Sequence, residues 1–501
     1  MSISNPLSAL GAIGLAIGCT IGLAGVAVTI AAQPDPVGRV TEHTQSQPID
    51  GTAGGVDILD VEISECFGGR EWGRNGAWPN GFAGFAISTQ SHNVGTVPVE
   101  WFTPGNIGEV LDNRHPFIGQ NLFRLREGRL EQIGQAFIKH GFFSENAMCG
   151  AQPDGQHLGV GCFDTYDTVS NQIQQYLGPR SEINPLTGYW EPCGSHFDTG
   201  EIGYPVGIPG DCMRTHGSAG HAGTDHRIGA FDQDIINADS NTDYFIEGFY
   251  IVAGDDNITN NWRHQRAQLD WNAGLNRWVF TDIAPQSQTT VVEAWADELD
   301  TAIPTTEGEA LVGLRTVDLG GGFHRYEYNV YNQTLDREIQ SFSVPLSDGV
   351  TPLLPDFHAS PEDEEPLYAM GDWTPTITAN AITWNAPAPN TGAGEEFPNT
   401  IRYGTMYTFW FITDEPPSNA KVALTQYKPG AEGTLTAAIS APCALDADLN
   451  GDGVVDTADL GLLIGQFGTA GPGADINGDN IVDTADLGLL ISDFGLDCFA
   501  G

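Results

Sequence analysis

A twelve-residue pattern occurs twice near the C-terminus and constrains this chain more than any other feature. The copies are Asp448-Leu449-Asn450-Gly451-Asp452-Gly453-Val454-Val455-Asp456-Thr457-Ala458-Asp459 and Asp475-Ile476-Asn477-Gly478-Asp479-Asn480-Ile481-Val482-Asp483-Thr484-Ala485-Asp486. Oxygen-bearing side chains fall at positions 1, 3, 5, 9 and 12, the spacing by which one tight turn surrounds a hard cation, and position 7 gives a backbone carbonyl. The expected ligands are Asp448, Asn450, Asp452, Val454, Asp456 and Asp459 in one loop, and Asp475, Asn477, Asp479, Ile481, Asp483 and Asp486 in the other, for two Ca2+ ions. Position 6 requires positive φ, which Gly453 takes freely and Asn480 tolerates. Four carboxylates in each loop repel one another without an ion, so folding here is expected to be coupled to calcium.

Each loop is followed by an apolar stripe, Leu460, Leu463, Ile464 and Phe467, then Leu487, Leu490, Ile491 and Phe494. The i, i+3, i+4, i+7 spacing puts each set on one helix face, and two stripes too small alone are expected to bury each other. An EF-hand also has a helix ahead of its loop. The run Gly468-Thr469-Ala470-Gly471-Pro472-Gly473 forbids one before the second copy. Tandem loops that end in Asp, each with a single following helix, resemble the type I dockerin domain of bacterial extracellular enzyme complexes. The resemblance spans residues 443–498. It implies that Thr457, Ala458, Thr484 and Ala485 contact a cohesin-like partner.

Sixty-five acidic residues against twenty basic ones give a net charge of −45, which argues against nucleic acid and anionic membranes as partners. Sixty-three glycines and thirty prolines, with little lysine, favour a turn-rich β protein. A hydrophobic content of 40% excludes disorder throughout.

An uncharged apolar run over residues 7–32, followed by Gln33-Pro34-Asp35-Pro36, reads as a secretory signal cut near Ala31 or Ala32. Gly14, Gly18 and Gly22 at four-residue spacing also fit a helix-packing face, so an uncleaved anchor is the alternative. A lipoprotein box at Gly18-Cys19 is poor, because Ala16 stands where Leu is usual. All three readings place the rest of the chain outside the cytoplasm. Seven of the eight cysteines lie beyond this run, and export would oxidise most of them. Cys443 and Cys498 flank the tandem loops and are expected to clasp them. Cys149/Cys162 and Cys193/Cys212 suggest two loop staples, although four cysteines allow three connectivities. Cys66 is left over.

Residues 33–55 read as a mobile lead-in. From 56 to 430 the apolar alternation has period two, in Phe82 to Ile87, Tyr244 to Val252, Thr289 to Trp295, Leu311 to Val317, Tyr326 to Val330, Ile339 to Val344, Arg402 to Ile412 and Val422 to Tyr427. Gly320-Gly321-Gly322 and Gln333-Thr334-Leu335-Asp336 mark turns. The expected fold class is mainly β: an antiparallel β-sandwich body with long loops, a linker over 431–442, and a small α-helical dockerin-like domain over 443–498. A helical turn or two is expected around Ile107 to Leu111. The segment Cys149 to Arg227 is loop-like and long, as binding excursions on β scaffolds often are. The words His115-Pro116-Phe117-Ile118-Gly119-Gln120-Asn121, Lys139-His140-Gly141-Phe142 and Leu177-Gly178-Pro179-Arg180-Ser181-Glu182 are similar to a family of large secreted bacterial proteins of uncharacterised role. That likeness implies one continuous module and no particular activity.

Within the excursion, His196, His216, His221 and His226 with Asp198, Asp211 and Asp225 are the densest set of potential ligands. The His216-x4-His221-x4-His226 spacing lies on no single helix face. A polar loop held by Cys193 and Cys212 is preferred over a transition-metal site. Glycoside hydrolysis needs two carboxylates about 5 to 10 Å apart. Asp232/Asp234, Glu62/Glu65 and Glu327 can be proposed, and none stands above the acidic background, so no catalytic residue is named. Most aromatics in strand patterns, Trp384, Trp410, Tyr326 and Tyr328 among them, read as core, whereas Trp72 and Trp78 read as exposed stacking surfaces for sugars. The expected function is an exported calcium-binding dockerin-type protein, docked into or attached to polysaccharide-degrading machinery. Its body would be a glycan-binding module or a hydrolase acting on O-glycosyl compounds. The alternative is a non-enzymatic cell-surface or structural protein whose tail folds on calcium and mediates protein–protein assembly.

Overall fold

The computed structural model describes residues 61–150, 154–199, 210–218, 220–236, 242–302, 307–347, 349–361, 368–369, 371–393 and 397–499. The apolar run at 7–32 and the lead-in at 33–55 lie outside the described residues.

Alternation along single strands sets the architecture. In Phe117–Arg126, Ile118 and Leu122 enter one core, while Phe117 and Phe123 enter another. Successive side chains of a strand point to opposite faces, so this strand is buried on both. It belongs to an eleven-stranded sheet, antiparallel throughout its named pairs. The path of that sheet runs Ile228–Phe231, Phe82–Asn93, Val61–Asn75, Arg277–Ser287, Trp262–Asn272, Thr242–Ile251, Phe117–Arg126, Ile138–His140 and Leu177–Gly178. The sheet curls over itself. A Cβ at Gly248 would meet Thr89 and Ile63, and Thr89 Oγ1 lies 3.1 Å from the Tyr250 hydroxyl. Val61, Ile63, Phe85, Ile87, Ile118, Leu122, Ile246 and Tyr250 fill the concave side.

Two five-stranded antiparallel sheets form the sandwich expected from the sequence. One runs Glu298–Ala302, Ala310–Gly320, Phe323–Asn332, Thr405–Thr413 and Leu353–His358; the other runs Thr374–Ile377, Ala381–Asn385, Ile339–Pro345, Lys421–Gln426 and Thr434–Ala438. Val312, Tyr326, Tyr328, Phe409 and Phe411 of the first meet Phe342, Val344, Trp384, Val422 and Leu424 of the second. A third core joins sandwich to curled sheet: Phe117, Phe123, Phe249 and Trp262 pack with Leu311, Tyr331, Tyr403 and Met406, and with Trp190 and Phe197 of the long excursion. The body is therefore a curled sheet and a sandwich sharing a seam.

Three local expectations are corrected. Thr289 to Trp295 is not a strand but the helix Val291–Trp295, capped by a reciprocal box in which Thr290 Oγ1 accepts from the Glu293 amide and Glu293 accepts from the Thr290 amide. Such caps stabilise a helix start by about 1 kcal/mol, enough to decide a five-residue segment. Residues 107–111 form a turn, with Val110 bridged to Met213, because Gly108 takes a φ of +84°. Residues 434–438, expected in a linker, are the strand Thr434–Ala438, with Leu435 and Ala437 buried in the sandwich.

The tandem loops lead into the helices Thr457–Gln466 and Thr484–Asp493. Leu463 and Leu490 are buried with Val455, Val482, Ala447 and Ala474, and Leu460 and Leu487 pack against them half-buried. The other half of each stripe is not buried as expected: Ile464 and Ile491 are each 60% exposed, Phe467 45% and Phe494 46%. Val455 and Val482 fill the space between the helices, and each phenylalanine sits at a C-cap, turned off the helical face.

Candidate metal centre

The tandem loops repeat one hydrogen-bond scheme. Asp448 Oδ2 accepts from the Gly453 amide at 2.7 Å, and Asp475 Oδ2 from the Asn480 amide at 2.7 Å. Asp459 Oδ1 takes the amides of Leu449 and Asn450, and Asp486 Oδ1 those of Ile476 and Asn477. Asp456 and Asp483 cap the following helices by accepting from Ala458 and Ala485. Gly453 and Asn480 hold φ of +86° and +70°, the conformation position 6 requires. The amides of Asp483, Asn477 and Ile476 hold the Asp486 carboxyl below its ordinary range. Asn450 Nδ2 donates to Asp452 Oδ2 at 2.9 Å, and Asn477 Nδ2 to Asp479 Oδ2 at 3.1 Å. Thr457, Ala458, Thr484 and Ala485 are exposed at the helix starts. A bond between Cys443 and Cys498 closes the unit.

Among the described residues, one set of three His, Cys, Asp or Glu side chains converges its donor atoms within 4.8 Å, and it is not in these loops: it is His196, His216 and His226. All three are buried, and they come from three segments. His196 opens the helical turn His196–Thr199, and its amide donates to Glu182 Oε1 at 2.6 Å. The Cys193–Cys212 bridge ties the approach to that turn to the strand-like stretch that carries His216. There the Thr215 amide donates to Phe197 O at 2.8 Å, and Thr215 Oγ1 to Asp198 O at 2.8 Å. His226 precedes Ile228–Phe231 with a φ of +63°, its ring stacked on Phe137 with centroids 4.4 Å apart and its carbonyl accepting from the Phe137 amide.

His196 Nε2 and His216 Nε2 lie 3.3 Å apart, and a backbone hydrogen bond with Gln174 orients His216. His221 stands beside them, its Nε2 2.9 Å from Gly217 O and its ring centroid 4.8 Å from that of His226. A carbonyl only accepts, so that nitrogen carries the proton. Burial, then the neighbouring imidazoles, pushes His196 well below its ordinary pKa and His216 down to about 3. Neutral rings with available lone pairs result. Beyond Phe197 lies a second pair, His115 Nε2 and His140 Nδ1 at 2.9 Å, so six of the twelve histidines gather on this side of the body. Arg214, also buried, donates to Gly105 O and Gln175 O.

The bridges Cys149–Cys162 and Cys193–Cys212 do staple the excursion, while the histidines converge inside rather than lining it. Asp198 and Asp225 stay out of the trio. Asp198 Oδ2 accepts the amides of Gly194 and Gly210, and Asp225 Oδ2 that of Ala222. Spacing alone could not reveal the site, since residues 196, 216 and 226 share no element. Histidine density inside a cysteine-stapled segment was the readable signal.

The carboxylates weighed for hydrolysis are engaged elsewhere. Asp232 pairs with Arg74 at 2.7 Å, Asp234 with Arg124 at 3.4 Å, Glu327 with Arg325 at 2.7 Å and Glu62 with His92 at 2.9 Å, while Glu65 is exposed. Trp78 is 42% exposed and stacked on Trp271; Trp72 is half-buried beneath Arg70. Trp384, Tyr326 and Tyr328 are core, and Trp410 lies half-buried under Arg129. Cys66 is buried with a free thiol.

No family model matches the sequence, and no curated protein matches it. Among solved structures, a serine-rich repeat adhesion glycoprotein from Streptococcus agalactiae aligns with 75% of this chain and 96% of its own at 10% identity, with a TM-score of 0.18. A likeness of that size says nothing of this chain's fold or function.

Proposed function

We propose that this protein acts outside the cytoplasm as a calcium-dependent attachment protein, in which a rigid β body is held by its C-terminal tandem-loop unit. The observation that carries the reading is the duplication of that unit side chain by side chain. Leu462, Ile464 and Phe467 are 42, 60 and 45% exposed, and Leu489, Ile491 and Phe494 are 40, 60 and 46% exposed. Together with Thr457, Ala458, Thr484 and Ala485, they offer a cohesin-like partner the same set of exposed apolar and small side chains twice. Twelve ligand positions supply the oxygens that two Ca2+ ions require. Three disulfides in the body and tail fit an oxidising, extracellular setting. The engagement of Asp232, Asp234 and Glu327 with arginines favours the non-enzymatic form of this reading over a glycoside hydrolase.

Calorimetric titration of the full chain with Ca2+ tests the calcium assignment. Two sites are expected, and Asp448→Ala with Asp475→Ala should abolish both. An unchanged titration in the double variant overturns the assignment. Incubation with a polysaccharide panel tests the body, for which no release of reducing sugar is expected; release above the blank would restore the hydrolase.

A further inference from the structure

We propose that His196, His216 and His226 form a binding site for one first-row transition ion of the zinc and copper class, and that this ion pins the long excursion to the curled sheet. The site is independent of the calcium loops in residues, ligand chemistry and position in the chain.

Geometry carries the inference. Two nitrogens each 2.0–2.1 Å from a tetrahedral ion stand about 3.3 Å apart. The Nε2 atoms of His196 and His216 are 3.3 Å apart, and a donor nitrogen of His226 lies within 4.8 Å of both. Those two rings can share only one proton between their facing nitrogens. The surroundings resemble those of a ligand shell. The backbone of Gln174 holds His216, and Phe137 stacks on His226, so two of the three rings are oriented by groups outside the trio.

The donor set selects the ion. Three neutral imidazoles suit zinc, copper and their neighbours, whereas calcium and magnesium require oxygens. The nearby Arg214 guanidinium repels a dication of either kind and does not select between them. A solvent molecule completes a fourth position. The mechanical consequence follows from the chain path. His196 and His216 lie on either side of the Cys193–Cys212 bridge, and His226 lies just before Ile228–Phe231. One ion therefore connects the stapled loop to a strand of the sheet.

The test uses the full chain, already saturated with calcium so that the tandem loops are occupied, and Zn2+ as the probe. One tight equivalent is expected by calorimetry. His196→Gln with His226→Gln should weaken it by about 100-fold or more, and His157→Gln, at a half-exposed histidine outside the cluster, should leave it unchanged. Equal zinc uptake by the wild type and the double variant overturns the proposal. Co2+ substitution in the unaltered protein supplies a readout that needs no variant to fold. Strong visible absorption of a four-coordinate nitrogen site supports the assignment, and only the weak spectrum of the hydrated ion overturns it. In the supporting case, zinc should also slow proteolysis between residues 193 and 227.

Discussion

The amide of Lys421 donates to the carbonyl of Cys498 at 2.9 Å, and the Lys421 ammonium sits 4.2 Å over the ring of Phe499. The end of the tandem-loop unit thus returns to the first residue of a sandwich strand and extends beside it. Asn419 Nδ2 also donates to Gly451 O, inside the first loop. Cys443 and Cys498 both belong to the sandwich core, so the unit is fused to the body rather than tethered to it. A partner that grips the exposed helix faces would therefore orient the whole body.

Breaking that clasp should release the tail. The bridge spans a sequence separation of 55, for which chain entropy gives up to about 4 kcal/mol of stabilisation. Cys443→Ser with Cys498→Ser is expected to lower the unfolding midpoint of the C-terminal unit. In limited proteolysis with calcium present, a fragment from about residue 443 onward should separate while the curled sheet persists. Coincident melting and proteolysis profiles for the two proteins would refute the clasp.

Asp232 is expected to matter for stability alone. Its carboxylate accepts from Arg74 Nη1 at 2.7 Å, from the Gly81 amide at 2.8 Å and from Trp278 Nε1 at 2.8 Å, all within the buried edge of the curled sheet. Asp232→Ala leaves those donors without that acceptor, although Glu71 still pairs with Arg74 at 2.9 Å. Loss of one member of a buried pair costs about 3 kcal/mol or more. Denaturant unfolding should show that loss, with calcium uptake by the tail unchanged. A shift below about 0.5 kcal/mol, the usual range for surface substitutions, would mean that the pair contributes nothing.

Local pattern made much of this legible, and long-range pairing did not. The alternation at Tyr326 to Val330 and at Arg402 to Ile412 shows strands; the first lies within Phe323–Asn332 and the second begins at Thr405, with Tyr326, Tyr328, Phe409 and Phe411 inside and Trp410 only half-buried. Position 6 of each loop shows its positive φ through Gly453 and Asn480. Alternation does not say which sheet a strand joins, so the split into curled sheet and sandwich stayed hidden. Thr289 to Trp295 misled because its β-branched residues fit a strand, while the Thr290 to Glu293 capping spacing, equally present, signalled a helix. Thr434–Ala438 alternates as a strand should, but its glycine-rich surroundings masked it. The histidine trio depends on a disulfide and two backbone turns to bring distant positions together, and no periodicity encodes that.

His264 makes a pH dependence that can be isolated. It lies in the strand Trp262–Asn272, buried, with Nδ1 2.8 Å from Thr289 O. Burial pushes its pKa down to about 4; the Thr289 bond opposes the shift and the Arg263 charge adds to it. In the unfolded chain the ring takes its proton near pH 6.5, whereas the folded protein refuses it until about 4. The contribution is therefore complete above pH 6.5 and is lost as pH falls toward 4, by about 3 kcal/mol in all. Asp164 and Glu247, raised to about 7 by burial, have the opposite sign: the fold holds their protons more tightly, so their contribution is greatest in acid and declines as pH rises to 7. The wild-type profile mixes these effects, and a difference separates them. His264→Gln keeps an N–H donor for the Thr289 carbonyl without the titration. The stability of wild type minus that of the variant, measured by urea unfolding at pH 7 and pH 4, should fall by about 3 kcal/mol between them. A difference that stays flat across that range would show that His264 does not titrate as its burial requires.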